Sequence, residues 1–320
     1  MSAPIVEVTN VSKIFPMTRT RGRNVQSLHA VSNVSFTIAA KETLGLVGES
    51  GSGKSTVGRM LVGVYPATSG QIRLFGRDVS GDAARANLKA VRRRLQFVFQ
   101  DPQAALNPRM AVGDAIAEPL DIAGGFDRRR RHARIDELLD MVGLPRSAVR
   151  RYPHEFSGRQ RQRIVIARAL ALQPDFIVCD EAVSALDVSM QAQVVNLLMD
   201  LQAQFGLSYL FIAHDLAVVR SVSTRVAVMY AGSIVEIAPR RALYESPHHP
   251  YTRALLDAVP RVRGVAKPRK MLQGEPPSLI DPPTGCRFAS RCPLVEARCR
   301  VEAPPVRTIG PGHQAACHLI

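Results

Sequence analysis

Apolar residues along the chain collect in short unbroken runs bounded by polar and turn-forming residues, the pattern of strands buried on both faces. Such runs occur at "TLGLV" (Thr43 to Val47), "IRLF" (Ile72 to Phe75), "LQFVF" (Leu95 to Phe99), "FIVCD" (Phe176 to Asp180), "SYLFIA" (Ser208 to Ala213) and "RVAVMY" (Arg225 to Tyr230). Helical spacing lies between several of them, starting with a helix predicted from Ser55 to Gly63. Alternation of this kind predicts an α/β fold with a mostly parallel sheet. Between about Pro102 and Pro153 the strand runs stop, and "AVGDAIAEPL" and "RHARIDELLDMVGL" read as helices punctuated by Gly and Pro. After about Pro260 the chain turns proline-rich, as in "GEPPSLIDPPTGC", and four of its five cysteines follow. The predicted organisation is a core over 1–259 with a helical subdomain at about 102–155, then a small extension over 260–320. The sequence contains no internal repeat.

Composition narrows the class. With 46% hydrophobic residues in 320, the chain can build a proper core. No run approaches the roughly 18 apolar residues of a membrane span, and "MSAPIVEVTN" lacks the features of a signal peptide, so a cytosolic protein is expected. The net charge of +15, with "RRR" at Arg92 to Arg94 and "RRRR" at Arg128 to Arg131, permits contact with nucleic acid or anionic lipid. No aromatic residues interleave these runs and Trp is absent, which disfavours base stacking; nucleic acid is not expected as a partner.

The candidate chemistry is phosphate chemistry. "GESGSGKST" (Gly48 to Thr56) fits G-x-x-x-x-G-K-[ST] between a predicted strand and a predicted helix. Gly48, Gly51 and Gly53 let backbone N–H groups close on phosphate oxygens, with Glu49, Ser50 and Ser52 completing the loop. Lys54 reaches the β- and γ-phosphates, Ser55 is a Mg²⁺ ligand, and Thr56 follows at the helix N-terminus, whose dipole favours an anion. Asp180, ending an apolar run, can hold Mg²⁺ through water, and Glu181 beside it can polarise an attacking water.

These segments, with "VFQDP", "HEFSGRQRQR", "SALD" and "IAHD" in that order, resemble the ATP-binding subunits of ABC transporters. "FQDPQAALNPRM", "SPHHPYTRALLDAVP", "GEPPSLIDPPTGCRFASRCP" and "GHQAACHL" resemble the dipeptide and oligopeptide importer group in particular, and "MTRTRGRNVQSLHA" looks like a basic insert of one of its two paired subunits. The resemblance implies an ATPase that uses ATP and Mg²⁺. Its partners would be a second ATP-binding subunit, two membrane permeases and an extracytoplasmic solute-binding protein, with the chain peripheral on the cytoplasmic face of the membrane. Phe15, just after the first strand, would stack on adenine; Gln100 would sense Mg²⁺ and water; Glu181 would be the general base; His214 would contact the γ-phosphate. Ser157, Gly158, Arg159 and Gln160 would form the signature that meets the partner's ATP, and Ser184 and Asp187 the loop that reports across the dimer. An ABC-type ATPase acting on nucleic acid or ribosomes is the alternative, and nickel, glutathione, opines or sugars are alternative cargoes.

Two features depart from simple expectation. Arg159 stands where the signature repeats its glycine. An arginine there adds bulk where glycine allows close approach and positive φ, so steric weakening of the partner's ATP site is the favoured outcome. Tolerance, or added phosphate binding by the guanidinium, stays open. Impairment in trans would suit a heterodimer better than a homodimer. Cys286, Cys292, Cys299 and Cys317 are four thiols in a cytosolic setting that disfavours disulfides. The resemblance favours a [4Fe–4S] cluster; zinc, or free or redox-paired thiols, remain alternatives. Cys179 reads as a buried small hydrophobe and His248 and His249 as loop residues.

Overall fold

A computed structural model describes residues 3–17, 26–80, 84–184, 186–258 and 274–320. Most of the basic insert, residue 185 of the "SALD" segment and the boundary near 259–260 lie outside them. The strands are β1 (Val6–Pro16), β2 (Ser27–Ile38), β3 (Thr43–Val47), β4 (Ser69–Leu74), β5 (Arg77–Asp78), β6 (Leu95–Val98), β7 (Phe176–Asp180), β8 (Ser208–Ala213), β9 (Arg225–Tyr230), β10 (Ser233–Pro239), β11 (Val306–Gly310) and β12 (His313–Ala316). The helices are α1 (Lys54–Leu61), α2 (Ala84–Val91), α3 (Pro102–Ala105), α4 (Val112–Ala123), α5 (Arg128–Met141), α6 (Gly158–Leu170), α7 (Val188–Phe205), α8 (Leu216–Val222), α9 (Arg240–Glu245), α10 (Pro250–Ala258) and α11 (Ala297–Val301).

An eight-stranded sheet runs β11-β12-β10-β9-β3-β8-β7-β6, and a four-stranded sheet runs β2-β1-β4-β5. From β9 to β6 the large sheet is parallel; β10, β12 and β11 extend it antiparallel. Alternate residues of one strand serve different cores. Ile177 and Cys179 face a cluster shared with α4 to α8, while Phe176 and Val178 face one shared with α1 and the four-stranded sheet. Double-sided burial is why these strands read as unbroken apolar runs. The three central runs, at Thr43–Val47, Phe176–Asp180 and Ser208–Ala213, have the bounds expected from sequence.

Parts of the two basic runs are consumed internally. Arg94 pairs with Asp175 at 2.6 Å, and Arg131 bridges Asp114 at 2.8 Å and Asp121 at 2.9 Å, tying α5 to α4.

The C-terminal extension is built onto the core sheet through a buried carboxylate. Glu236, on β10, is 1% exposed. It accepts the backbone N–H groups of His248 at 2.8 Å and His249 at 3.0 Å, and His313 Nε2 of β12 lies 2.8 Å from its Oε1. His249 is itself buried, and its Nδ1 accepts the Tyr251 N–H at 3.1 Å. His248 and His249 are therefore anchors of the fold and not the plain loop residues expected.

Burial holds the His249 pKa down at about 4 against an ordinary 6.5. The unfolded chain takes up this proton as pH falls below about 6.5, whereas the folded ring stays neutral until about 4. Its contribution is thus complete above the unfolded value and is lost as pH falls between the two. From pH 7 to 4.5, denaturant melts should show His249→Gln losing about 2 to 3 kcal/mol less stability than the native chain. Equal losses would mean the ring is not held neutral.

Candidate active site

Between β3 and α1, residues 48–53 form a loop whose backbone only glycine can follow at its ends. Gly48 has φ +152° and a Cβ there would meet Met229 O at 2.0 Å; Gly53 has φ +101° and a Cβ would meet Ala30 O at 2.3 Å. Lys54 is buried, and its Nζ donates to Gly48 O and Glu49 O at 2.8 Å each. Burial lowers its pKa, while Glu181, Asp180 and Glu49 oppose that fall. A cation is thereby folded against a loop of N–H groups at a helix N-terminus, the arrangement that takes up phosphate.

The parallel register sets the carboxylates opposite this loop, because Asp180 and Glu181 leave the sheet at the same end as Val47. Ser55 Oγ donates to Asp180 Oδ1 at 2.7 Å. Burial raises the Asp180 pKa, countered by the Ser55 bond and by Arg59 and Lys54. These paired hard oxygens suit Mg²⁺. Glu181 has φ 47° and its N–H is fixed by Ile212 O at 2.9 Å, so the chain turns sharply and turns the carboxylate aside from the strand. Gln100 Nε2 donates to Glu181 Oε2 at 3.0 Å, and His214 Nδ1 stands 3.6 Å from the same oxygen. The structure thus gathers Lys54, Ser55, Gln100, Asp180, Glu181 and His214 from four separate stretches of chain.

Ser157 caps α6: its Oγ accepts the Gln160 N–H at 3.3 Å, and Gln160 Oε1 accepts the Ser157 N–H at 3.0 Å. Gly158 has open space where a Cβ would stand. Arg159 lies within α6 and is not among the positive-φ residues, which removes the backbone reason for expecting it to disturb the motif. Its Nη1 donates to Gln193 Oε1 on α7 at 2.6 Å. Asp187 caps α7 through the Met190 N–H at 2.9 Å, and Ser184 Oγ donates to Glu181 O at 3.0 Å.

The model for "ABC transporter" matches residues 31–184, and that for "Oligopeptide/dipeptide transporter, C-terminal region" matches residues 235–299. A peptide import ATP-binding protein of Brucella abortus (strain 2308) is 66% identical over 292 residues, 91% of this chain and 87% of that protein. The chain belongs to the ATP-binding subunits of ABC transporters. The oligopeptide transport ATP-binding protein AppF of Bacillus subtilis (strain 168) is 50% identical over 319 residues, 98% of this chain and 97% of AppF. A dimeric ATP-binding cassette solved in a post-hydrolysis state with ADP and Pi superposes with a TM-score of 0.65 at 28% identity, over 74% of this chain and 99% of that one. As an ABC ATPase, the chain uses ATP and Mg²⁺ and hydrolyses the nucleotide.

One expectation about this ABC ATPase needs correction. Phe15 lies inside β1 and not after it; its half-buried ring meets Tyr65 edge-on at 5.1 Å, with Lys13 Nζ 4.9 Å from its centre. The four cysteines of the C-terminal part lie near one another. Cys286, Cys292, Cys299 and Cys317 are all free thiols, and among the described residues no group of three or more His, Cys, Asp or Glu side chains is set to hold a metal ion. Burial pushes the Cys286 and Cys292 thiols up, and the neighbouring cysteines push them further. Cys179 is fully buried, with its thiol pushed up to about 12, as an inert core residue requires.

Sequence reasoning missed two side chains that touch the P-loop from the C-terminal part, Tyr251 and Arg291, the latter also meeting Tyr230. "RFASRCP" and "HHPYT" carried the signal only as parts of a resemblance.

Proposed function

We propose that this ABC ATPase powers the import of di- or oligopeptides through membrane permeases supplied by an extracytoplasmic solute-binding protein. The observation that carries the cargo is the oligopeptide/dipeptide match over residues 235–299, in company with relatives named for peptide import. Among the described residues no helix is long and apolar enough to cross a membrane, which suits a peripheral subunit at the cytoplasmic face that works by moving others.

In this reading Lys54 and the N–H groups of residues 48–53 hold the β- and γ-phosphates. With Ser55 and Asp180 as its ligands, Mg²⁺ supplies charge neutralisation on those phosphates. Glu181 accepts the proton of the attacking water, Gln100 fixes the carboxylate by its 3.0 Å bond, and His214 stands at the γ-phosphate side. Ser157 and the start of α6 would meet the ATP of a second ATP-binding subunit, and Phe15 would stack on adenine. No step is assigned to a [4Fe–4S] cluster or zinc, since among the described residues no group of three or more ligating side chains is gathered for one.

Assembly with its permeases and binding protein in vesicles tests the cargo. Short peptides should raise ATP hydrolysis and enter the vesicles, whereas nickel, glutathione, opines and sugars should do neither. Stimulation by nucleic acid or ribosomes in place of peptides would favour the alternative class.

The same assembly tests the heterodimer expected from Arg159. Because that side chain is engaged by Gln193 of its own chain, Arg159→Gly should change ATP turnover by less than about threefold, the scale of one exposed hydrogen bond. A tenfold rise would mean that Arg159 obstructs the partner's ATP, and a pair with one impaired site would follow.

A further inference from the structure

The outer side of the P-loop is held by residues that follow the ATPase motifs by a long stretch of chain. Arg291, between Ser290 and Cys292, has a side chain only 7% exposed, and its Nη1 donates to Glu49 Oε2 at 2.8 Å. The same nitrogen lies 3.4 Å from the Tyr230 hydroxyl, and the guanidinium is 5.9 Å from the centre of that ring. Tyr251 Oη accepts the Glu49 N–H at 3.0 Å. Gly232 N–H donates to Ser52 O at 2.9 Å, and Arg287 donates to Ala231 O beside it. Both ends of the segment from Glu49 to Ser52 are thus fastened to groups from beyond residue 229.

Glu49 is a problem for a loop that must accept a polyanion. Its carboxylate belongs to the phosphate-binding loop and is only partly exposed, so an unpaired negative charge there repels ATP. Arg291 offers the compensating charge. Its Nε is buried without a hydrogen-bond partner, so Glu49 is the anion that offsets burial of this guanidinium, and each charge depends on the other.

We propose that Arg291 is a positioning residue for ATP: it neutralises Glu49 and holds it against Tyr230, which makes the C-terminal extension part of the nucleotide site. The inference rests on the ATPase reading. Arg291 acts through Glu49.

The test measures the ATP dissociation constant and the KM and kcat for ATP of the assembled transporter. Arg291→Ala should weaken ATP binding and raise KM about tenfold, with kcat within about threefold, because the loss falls on binding and not on the attacking water. Arg291→Lys should be intermediate, since an ammonium can meet Glu49 but lacks the planar fork. Adding Glu49→Gln to Arg291→Ala should recover most of the lost affinity by removing the stranded carboxylate. A merely structural bridge would not be rescued by removing its second half. Unchanged affinity in Arg291→Ala, or a double variant as weak as the single, overturns the proposal.

If Arg291→Ala does not fold, Glu49→Gln alone decides: ATP affinity higher than native supports the proposal, and lower affinity overturns it. Native protein that binds no ATP would overturn the ATPase reading instead. Amide exchange of residues 48–53 without nucleotide then decides for Arg291, faster in Arg291→Ala if it holds the loop and equal to native if it does not.

Discussion

Glu181→Gln is expected to cut ATP hydrolysis by about 10² to 10⁴-fold while leaving ATP bound, the range for removing a general base. The substitution keeps the size of the side chain and the contact with Gln100, whose amide can still meet a carbonyl oxygen. What it removes is the anion that receives a proton. Lys54, Ser55 and Asp180 bind through other atoms, so nucleotide affinity should survive. Single-turnover hydrolysis alongside ATP binding separates the two quantities. Hydrolysis within tenfold of native would move the base elsewhere, with His214 the nearest other group.

Lys54→Ala is expected to fail one step earlier. Its ammonium is the buried cation of the phosphate cradle, and its two 2.8 Å bonds to Gly48 O and Glu49 O show it folded onto the loop. Charge-assisted bonds to phosphate contribute about 1.5–3 kcal/mol each, so losing the side chain should weaken ATP binding by about 100-fold and turnover by at least as much. Folded stability should change little, because the lost bonds are offset by relief from burying a charge, whose cost appears in the lowered Lys54 pKa. ATP titration and a thermal melt of the same sample check both halves. Normal affinity in a folded variant would remove Lys54 from the phosphate site.

The parts legible in the sequence share one physical cause. β3, β7 and β8 are buried on both faces and parallel, so apolar runs mark them, and the residues at their ends fall where a P-loop and its acidic partner belong. The strands that escaped notice lack that signature. β1 and β2 alternate polar and apolar residues and pair through repeated register shifts, which blurs their period. β10 carries Glu236 in its middle, a charge that argues against burial until His248, His249 and His313 are seen around it. β11 and β12 are short and polar, strands only because β10 offers them an edge. Long-range contacts were illegible for a different reason. Arg159 meets Gln193 across 34 residues and Arg291 meets Glu49 across 242, and no local spacing encodes either.

The order of the large sheet also has a consequence for synthesis. β10 is covered on its outer edge by β12, which follows it only after a long stretch of chain. Until Ala316 has left the ribosome, a nascent chain with a finished phosphate site still presents an open strand edge, with unpaired backbone groups and a carboxylate awaiting His313. Open edges of this kind recruit strands from other molecules. A polypeptide cut short before β12 would therefore yield an ATPase core with this edge open, a form that tends to aggregate.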